Sequence, residues 1–313
     1  MTGRIRNECC MIKYIELGKK IYDTSNPREQ RRMVVFVLRA MWHDADMKKL
    51  MAFFEGNEVL RKFQLRHQFH IEQVTRCFFY NGATFKERME LVCETYRYLS
   101  SVLQPDAFMQ ICCHDSEPRY KLWEGEFEGK PIVAELLMDA GQRKEGCMSV
   151  MITWAGEAFY QIIFWINKDK SGNEAMYIGA MQGPNLDEAR DVVKRMTKWA
   201  HGYRTKNLIL YITQAVARSL GLNKIYAVSN YGYYANNHVR SDRKLKTNFG
   251  DFWLETGGRE TEDKRFYELP LIEKRKTMEE VPTRKRAVYR RRFAFLDEVD
   301  AAIDVSMKKA LRQ

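Results

Sequence analysis

No C-x-x-C pair occurs anywhere in the 313 residues, and no histidine stands at a cysteine spacing suited to zinc. The seven cysteines are an odd number and include the adjacent pairs Cys9–Cys10 and Cys112–Cys113, so they read as reduced thiols of a cytosolic protein. No run approaches the roughly 18 apolar residues of a membrane span. The first 20 residues, "MTGRIRNECCMIKYIELGKK", carry charge at almost every turn and lack the apolar core of a signal peptide. Helix-turn-helix spacing, zinc modules and RNA-binding aromatic motifs are missing too, which makes nucleic acid an unlikely partner. Disorder is excluded by composition: hydrophobic residues reach 45% and aromatics 12%.

What the chain has in excess is positive charge. Lysine and arginine outnumber aspartate and glutamate 52 to 41, a net charge of +11. Residues 273–313 hold twelve bases and seven acids, so +5 of that excess is local. Six bases fall within residues 284–292, near the start of an expected long helix, where they oppose the helix dipole. Arg290, Arg291 and Arg292 are therefore candidates for an anionic partner, a membrane surface before nucleic acid. Such attachment would add a peripheral position at the inner membrane to a cytoplasmic location.

Periodicity divides the chain into three. Residues 1–104 are expected to be helical, with apolar positions three and four apart and breaks at Asn26–Pro27, Gly56 and Asn81–Gly82. His67 and His70 would share a helix face here, but no third ligand lies at a matching offset, so no metal is expected. Residues 105–272 change period. "YKLWEGEFEG" with "KPIVAELLMD", then "CMSVMITW" with "AFYQIIFWIN", predict two hairpins, followed by a strand in "AMYIGAMQG". A helix over "NLDEARDVVKRMTKWAHG", another over "NLILYITQAVARSLG" and a strand in "NKIYAVSN" complete a strand-helix-strand unit with parallel pairing. Residues 273–313 form the basic C-terminal helix. The fold class is α+β: a helical N-terminal region, a mixed and mostly antiparallel sheet, and a last helix.

This order, with "GYRTKNL" opening a helix and "FWLETGGRE" following the late strand, resembles the core of the Gcn5-related N-acetyltransferase superfamily. That resemblance implies an acyl donor, acyl-CoA or acyl-carrier protein, bound at a helix start where unpaired N–H groups and the positive dipole end converge. In the superfamily small residues close that loop on a pyrophosphate. Here residues 204–208 include no glycine, and Arg204, Lys206 and Asn207 would hold the donor through side chains instead. "KIYAVSNYGYYANNHVRSDRKLKTNFGDFWLETGG", "IGAMQGP", "HGYRTKN" and "TRKRAVYRRR" more specifically resemble the VirK/YbjX family of Gram-negative bacteria. That likeness implies a link to outer-envelope maintenance, virulence and resistance to antimicrobial peptides, with a lipid, a peptide or a small molecule as acceptor.

The stretch "SNYGYYANNHVRSD" follows the strand whose carboxyl end should open the ligand crevice. His238 is a natural general base, and Asp242 would hold its imidazole. Tyr234 or Tyr233 would protonate a thiolate leaving group, Tyr233 serving otherwise to bind substrate. Asn230 would orient an amide, and Arg240 and Arg243 would bind a carboxylate or phosphate. Gln182 or Glu255 are alternative bases. The competing reading is structural: such residues also satisfy backbone groups around an irregular turn, and the chain is then a non-catalytic binding protein held to anionic lipid by its C-terminal helix.

Overall fold

The computed structural model describes residues 2–113, 118–186, 188–237 and 248–312, with side chains from residue 11 onward. Seven helices come first: α1 (Thr2–Ile21), α2 (Pro27–Trp42), α3 (Asp44–Glu55), α4 (Glu58–Arg66), α5 (Phe69–Thr75), α6 (Phe85–Val102) and α7 (Pro105–Cys112). Their starts follow local chemistry. Asn26 accepts from the Arg28 N–H with Pro27 in the first turn, Asn57 accepts from Val59 and Leu60, and Thr84 and Glu87 form a reciprocal capping box. Pro105 plays the part of Pro27 at α7: its missing N–H costs nothing at a helix start, so the change of period near residue 105 begins with one more helix before the sheet.

The sheet has eight strands in the order β1-β2-β3-β4-β5-β6-β8-β7. β1 (Tyr120–Phe127), β2 (Lys130–Leu137), β3 (Met148–Trp154), β4 (Glu157–Lys168) and β5 (Glu174–Gln182) form the antiparallel meander that alternation and the turns at Glu128–Gly129 and Ala155–Gly156 predict. From β5 the chain leaves through α8 (Ala189–Trp199) and α9 (Thr205–Ser219) and returns as β6 (Lys224–Val228), parallel to β5. α10 (Phe249–Glu255), β7 (Arg259–Glu260) and β8 (Phe266–Leu269) follow, β8 lying antiparallel between β6 and β7. The last helix is α11 (Arg286–Ala310).

One continuous apolar core runs through all three segments, from Tyr14 to Ala310, and includes Phe54, Phe63 and Tyr96 of the helical region, Trp165 of β4 and Leu296 and Ile303 of α11. The sheet joins the helices into one body. α6 packs on β4, while α9 packs on β3 and β4 and α11 on α9 and β1. The described cysteines are free, and burial pushes the thiols of Cys93 and Cys147 up to about 12, as inert packed thiols require.

His67 and His70 do not share a helix face. The chain is extended at His67, which ends α4, and α5 starts after Gln68, so the two histidines stand on opposite sides of a helix junction. Both are buried, and neither ring nitrogen of His70 has a hydrogen-bond partner among the described residues. Burial among Phe54, Phe63 and Tyr96, with His67 nearby, holds the His70 imidazole down at about 3. No group of three or more potential metal ligands occurs among the described residues.

Candidate active site

β5 and β6 pair from Ala175–Lys224 to Ile178–Ala227, and there the pairing stops, although β5 continues to Gln182. At the same point β5 carries an extra residue. Phe164 of β4 faces Ile178 and Ile163 faces Ala180, leaving Gly179 unpaired in a bulge. The reason for glycine is a close crossing: a Cβ on Gly179 would sit 1.8 Å from the carbonyl oxygen of Glu145 and 2.9 Å from the Trp165 ring. The segment 139–146, which joins β2 to β3, thus lies directly on the parting strands.

That segment is held from several sides. Gln73 of α5 donates to the carbonyls of Arg143 and Gly146 at 2.9 and 2.8 Å, and Arg143 pairs with buried Glu72 at 2.6 Å. Gln142 and Gln182 exchange amide hydrogen bonds, and Gln161 donates to Asp139. The helical region also reaches across. Phe79 N–H donates to the Lys144 carbonyl, Asn81 N–H to the Gly232 carbonyl, and Tyr80 forms a β-bridge with Tyr233. Residues 78–81 therefore strap the 139–146 segment to the stretch that follows β6.

Between these segments sits a carboxyl group that the sequence reading overlooked. Glu145 is 5% exposed; its Oε1 accepts from the Tyr233 hydroxyl at 3.2 Å, and its buried Oε2 has no hydrogen-bond partner among the described residues. Burial pushes Glu145 up to about 7, against the lowering effects of the Tyr233 hydrogen bond and nearby Lys144. The same burial, with the Glu145 charge, raises the Tyr233 phenol well above its ordinary range, so Tyr233 stays a donor. A carboxyl group that titrates near neutrality beside a fixed phenol donor can accept a proton at physiological pH.

The polar stretch after β6 divides its duties. Ser229 and Gly232 bind the Arg265 segment: Ser229 N–H donates to the Arg265 carbonyl, and a Cβ on Gly232 would lie 2.1 Å from that oxygen. Asn230 accepts from the Phe249 N–H at 2.8 Å and donates to Asn248 at 2.8 Å, so its amide secures the start of α10. Asn236 donates to the carbonyls of Asn230 and Tyr231. Tyr234 is buried with its ring edge-on to Phe78 and Tyr233. His238, Arg240, Asp242 and Arg243 lie outside the described residues.

α10 links this region to the expected donor site. Tyr233 packs on Phe249 at its start, while Glu255 at its end pairs with both Arg204 and Lys206 at the start of α9. Seven residues at 1.5 Å rise put the two ends about 10 Å apart. Lys206 also stands over the Phe252 ring at 4.5 Å. α9 has no side-chain cap; Glu255, held below the usual carboxylate range by Lys206 and Arg204, faces the two bases at its start. Asn207 lines a cavity of about 340 Å³ with Tyr203, Gln214, Glu255 and Glu273, its Oδ1 buried and unpartnered among the described residues. Of the two alternative bases, Gln182 is occupied by Gln142, and Glu255 is ion-paired and poorly basic.

On α11, Arg290 and Arg291 are exposed, whereas Arg292 lies over the Tyr289 ring and donates to the His201 carbonyl at 3.2 and 3.1 Å, closing the end of α8. Arg286 likewise donates to the Val281 carbonyl. Part of the basic run is thus spent on neighbouring carbonyls.

The model of a protein family of unknown function, DUF535, matches residues 25–305. The chain belongs to the DUF535 family. The match includes the helical region from α2 onward, the sheet and most of α11, so Glu145, Tyr233 and the strap over them all fall inside the family's span. An uncharacterized protein of Haemophilus influenzae is 26% identical over 226 residues, 70% of this chain and 69% of that protein. The Escherichia coli K12 protein YbjX, also uncharacterized, is 29% identical over 174 residues, 55% of this chain and 52% of its own length. The chain thus spans about half of YbjX in that match, and the likeness to the VirK/YbjX family holds at the level of the family. No solved structure matches this DUF535 chain.

Proposed function

We propose that this DUF535 protein is an acyltransferase with a core of the Gcn5-related type, moving an acyl group from a thioester to an amine or hydroxyl. The observation that carries the reading is Glu145: a buried carboxyl titrating near 7, hydrogen-bonded by Tyr233, at the point where β5 and β6 part. Glu145 takes the proton from the acceptor as its nitrogen or oxygen attacks the thioester carbonyl. The C–S bond then breaks, and the thiolate leaves and takes its proton from solvent, while the Tyr233 hydroxyl keeps its hydrogen bond to Glu145. Further support comes from the parallel β5–β6 pair joined through α9, the bulge at Gly179, and the two bases at the start of α9.

The donor is the thioester of coenzyme A or of acyl-carrier protein. Because Glu255 occupies the bases at α9, a donor phosphate competes with that carboxylate, which favours a carrier protein bringing many acidic side chains over a lone pyrophosphate. An envelope precursor, lipid or peptide as acceptor rests on the family resemblance alone. The test is equilibrium unfolding with and without a panel of acyl-CoAs and acyl-carrier proteins. A donor at 100 times its dissociation constant raises stability by about 2.7 kcal/mol. That rise should shrink in Lys206→Ala; no rise with any donor rejects the reading.

A further inference from the structure

α2 has two apolar sides. Phe36, Val37 and Ala40 enter the core, as expected of an amphipathic helix. On the outer side Val34, Leu38 and Trp42, four residues apart and hence on one stripe, are 54%, 61% and 86% exposed. A solvent-facing stripe of Val, Leu and Trp is not what a helix needs to pack on its own protein. α1 widens it. The two helices run antiparallel, with Gly18 against Met33 and the Tyr14 hydroxyl donating to Asp44 at 2.8 Å. That register lays Met11 and Ile12, 40% and 59% exposed, alongside the Leu38–Trp42 end.

The unpaired charges that α2 contributes to this face have one sign, and Glu16 of α1, four residues from Ile12, is paired with Lys19. Arg28 and Arg31 are exposed and have no partner among the described residues. Glu29, the only acid of α2, is paired with Arg32, and Arg39 donates to the Thr75 carbonyl. The outer face therefore grades from free arginines at one end to bare Leu and Trp at the other, with no carboxylate between them. A second copy of this chain would bury the apolar end but offer Arg28 and Arg31 no acid on the matching face. An anionic bilayer offers both an acyl boundary and phosphates, and Trp favours that interface.

We infer that α2, with the Met11–Ile12 edge of α1, lies on an anionic lipid surface, with Leu38 and Trp42 entering the acyl boundary and Arg28 and Arg31 meeting headgroup phosphates. No described helix is long and apolar enough to cross a membrane, so α2 lies in the interface. The inference is independent of the acyl-transfer reading.

The experiment is co-sedimentation of the full chain with mixed phosphatidylglycerol–phosphatidylcholine vesicles and with pure phosphatidylcholine vesicles. The protein should sediment with the mixed vesicles and be released by salt. The pair Leu38→Ser, Trp42→Ser should weaken partitioning at least about tenfold. Arg28→Ala with Arg31→Ala should weaken it about fivefold per arginine. These side chains are exposed, so circular dichroism should show the variants folded. Full retention in both variants overturns the inference. So does retention lost only on Arg290→Ala with Arg291→Ala, which assigns the membrane contact to α11. A dimer dissolved by Leu38→Ser, Trp42→Ser without vesicle binding overturns it as well, assigning the face to a second copy.

Discussion

Replacing Glu145 by glutamine keeps the shape of the side chain and removes its titration, which isolates the electrostatic cost of that buried carboxyl. The ordinary value of 4.5 rises to about 7 in the folded protein. Below 4.5 the group is protonated in both folded and unfolded chains and contributes nothing to the balance. Between 4.5 and 7 the unfolded chain releases its proton while the folded one keeps it, so stability falls as pH rises. Above 7 the loss is complete, at about 3 kcal/mol. The substituted glutamine carries no such term. Its amide can still accept from Tyr233, but its two N–H donors replace a site with one unpartnered oxygen, a constant penalty of about 1 kcal/mol or more. Other carboxylates, Glu255 and Asp263 among them, are held low and produce the opposite slope, yet they titrate alike in both proteins and cancel in the difference. Urea unfolding at pH 5, 6, 7 and 8 should show Glu145→Gln at or below wild-type stability at pH 5, gaining up to pH 7 and levelling off by pH 8. A difference that stays constant over that range would mean instead that Glu145 is ionised at ordinary pH and solvated.

Gly179→Ala should destabilise by about 3 kcal/mol, since the new methyl meets backbone of the 139–146 segment at 1.8 Å and one side must move; an unchanged urea midpoint would show that this crossing is loose. Glu255→Gln should change stability by no more than about 1 kcal/mol, since Arg204 and Glu255 are exposed and Lys206 is only partly buried, while freeing Arg204 and Lys206. Calorimetric titration with pyrophosphate should then show about fivefold tighter binding, lost again with Lys206→Ala; equal affinity in the two forms would place the anion elsewhere. His70→Phe should leave stability at pH 7 near wild type, with aromatic neighbours on the ring. Because the folded imidazole is held down at about 3, wild type loses stability as pH falls below 6.5, about 2 kcal/mol by pH 5. The variant should lack that loss, and parallel acid profiles would show His70 to be solvated.

Hairpins and helices were readable because each carries its own local signal: Glu128–Gly129 and Ala155–Gly156 take positive φ where two-residue turns demand it, and Gly202 and Gly221 end the helices before them. The parallel return to β6 followed from the two intervening helices. The candidate site was less readable, for a physical reason. Glu145 and Tyr233 are 88 residues apart and meet only because segment 139–146 crosses β5 at Gly179. In "KEGC" nothing distinguishes a buried acid from a turn acid. The one available signal was Gly179, a glycine inside a strand, which marks a close backbone approach but not what approaches. Asn230 shows the reverse case. Its place after β6 suggested chemistry, while its amide is taken by Asn248 and Phe249. The split of His67 and His70 between α4 and α5 was hidden because "LRHQFHIEQV" has no glycine or proline to mark the junction.

The proposed acyl transfer requires Glu145 to receive a proton. Release of free thiol from acyl-CoA and acyl-carrier-protein thioesters, followed across pH 5.5 to 8.5 (about one and a half pH units either side of the Glu145 value) with a mixture of amine acceptors, tests it most directly. Acceptor-dependent release that rises with pH through a limb near 7, and falls at least about a hundredfold in Glu145→Gln while Tyr233→Phe shifts the limb, is the predicted result. Release with the same rate and pH profile in wild type and Glu145→Gln would contradict it.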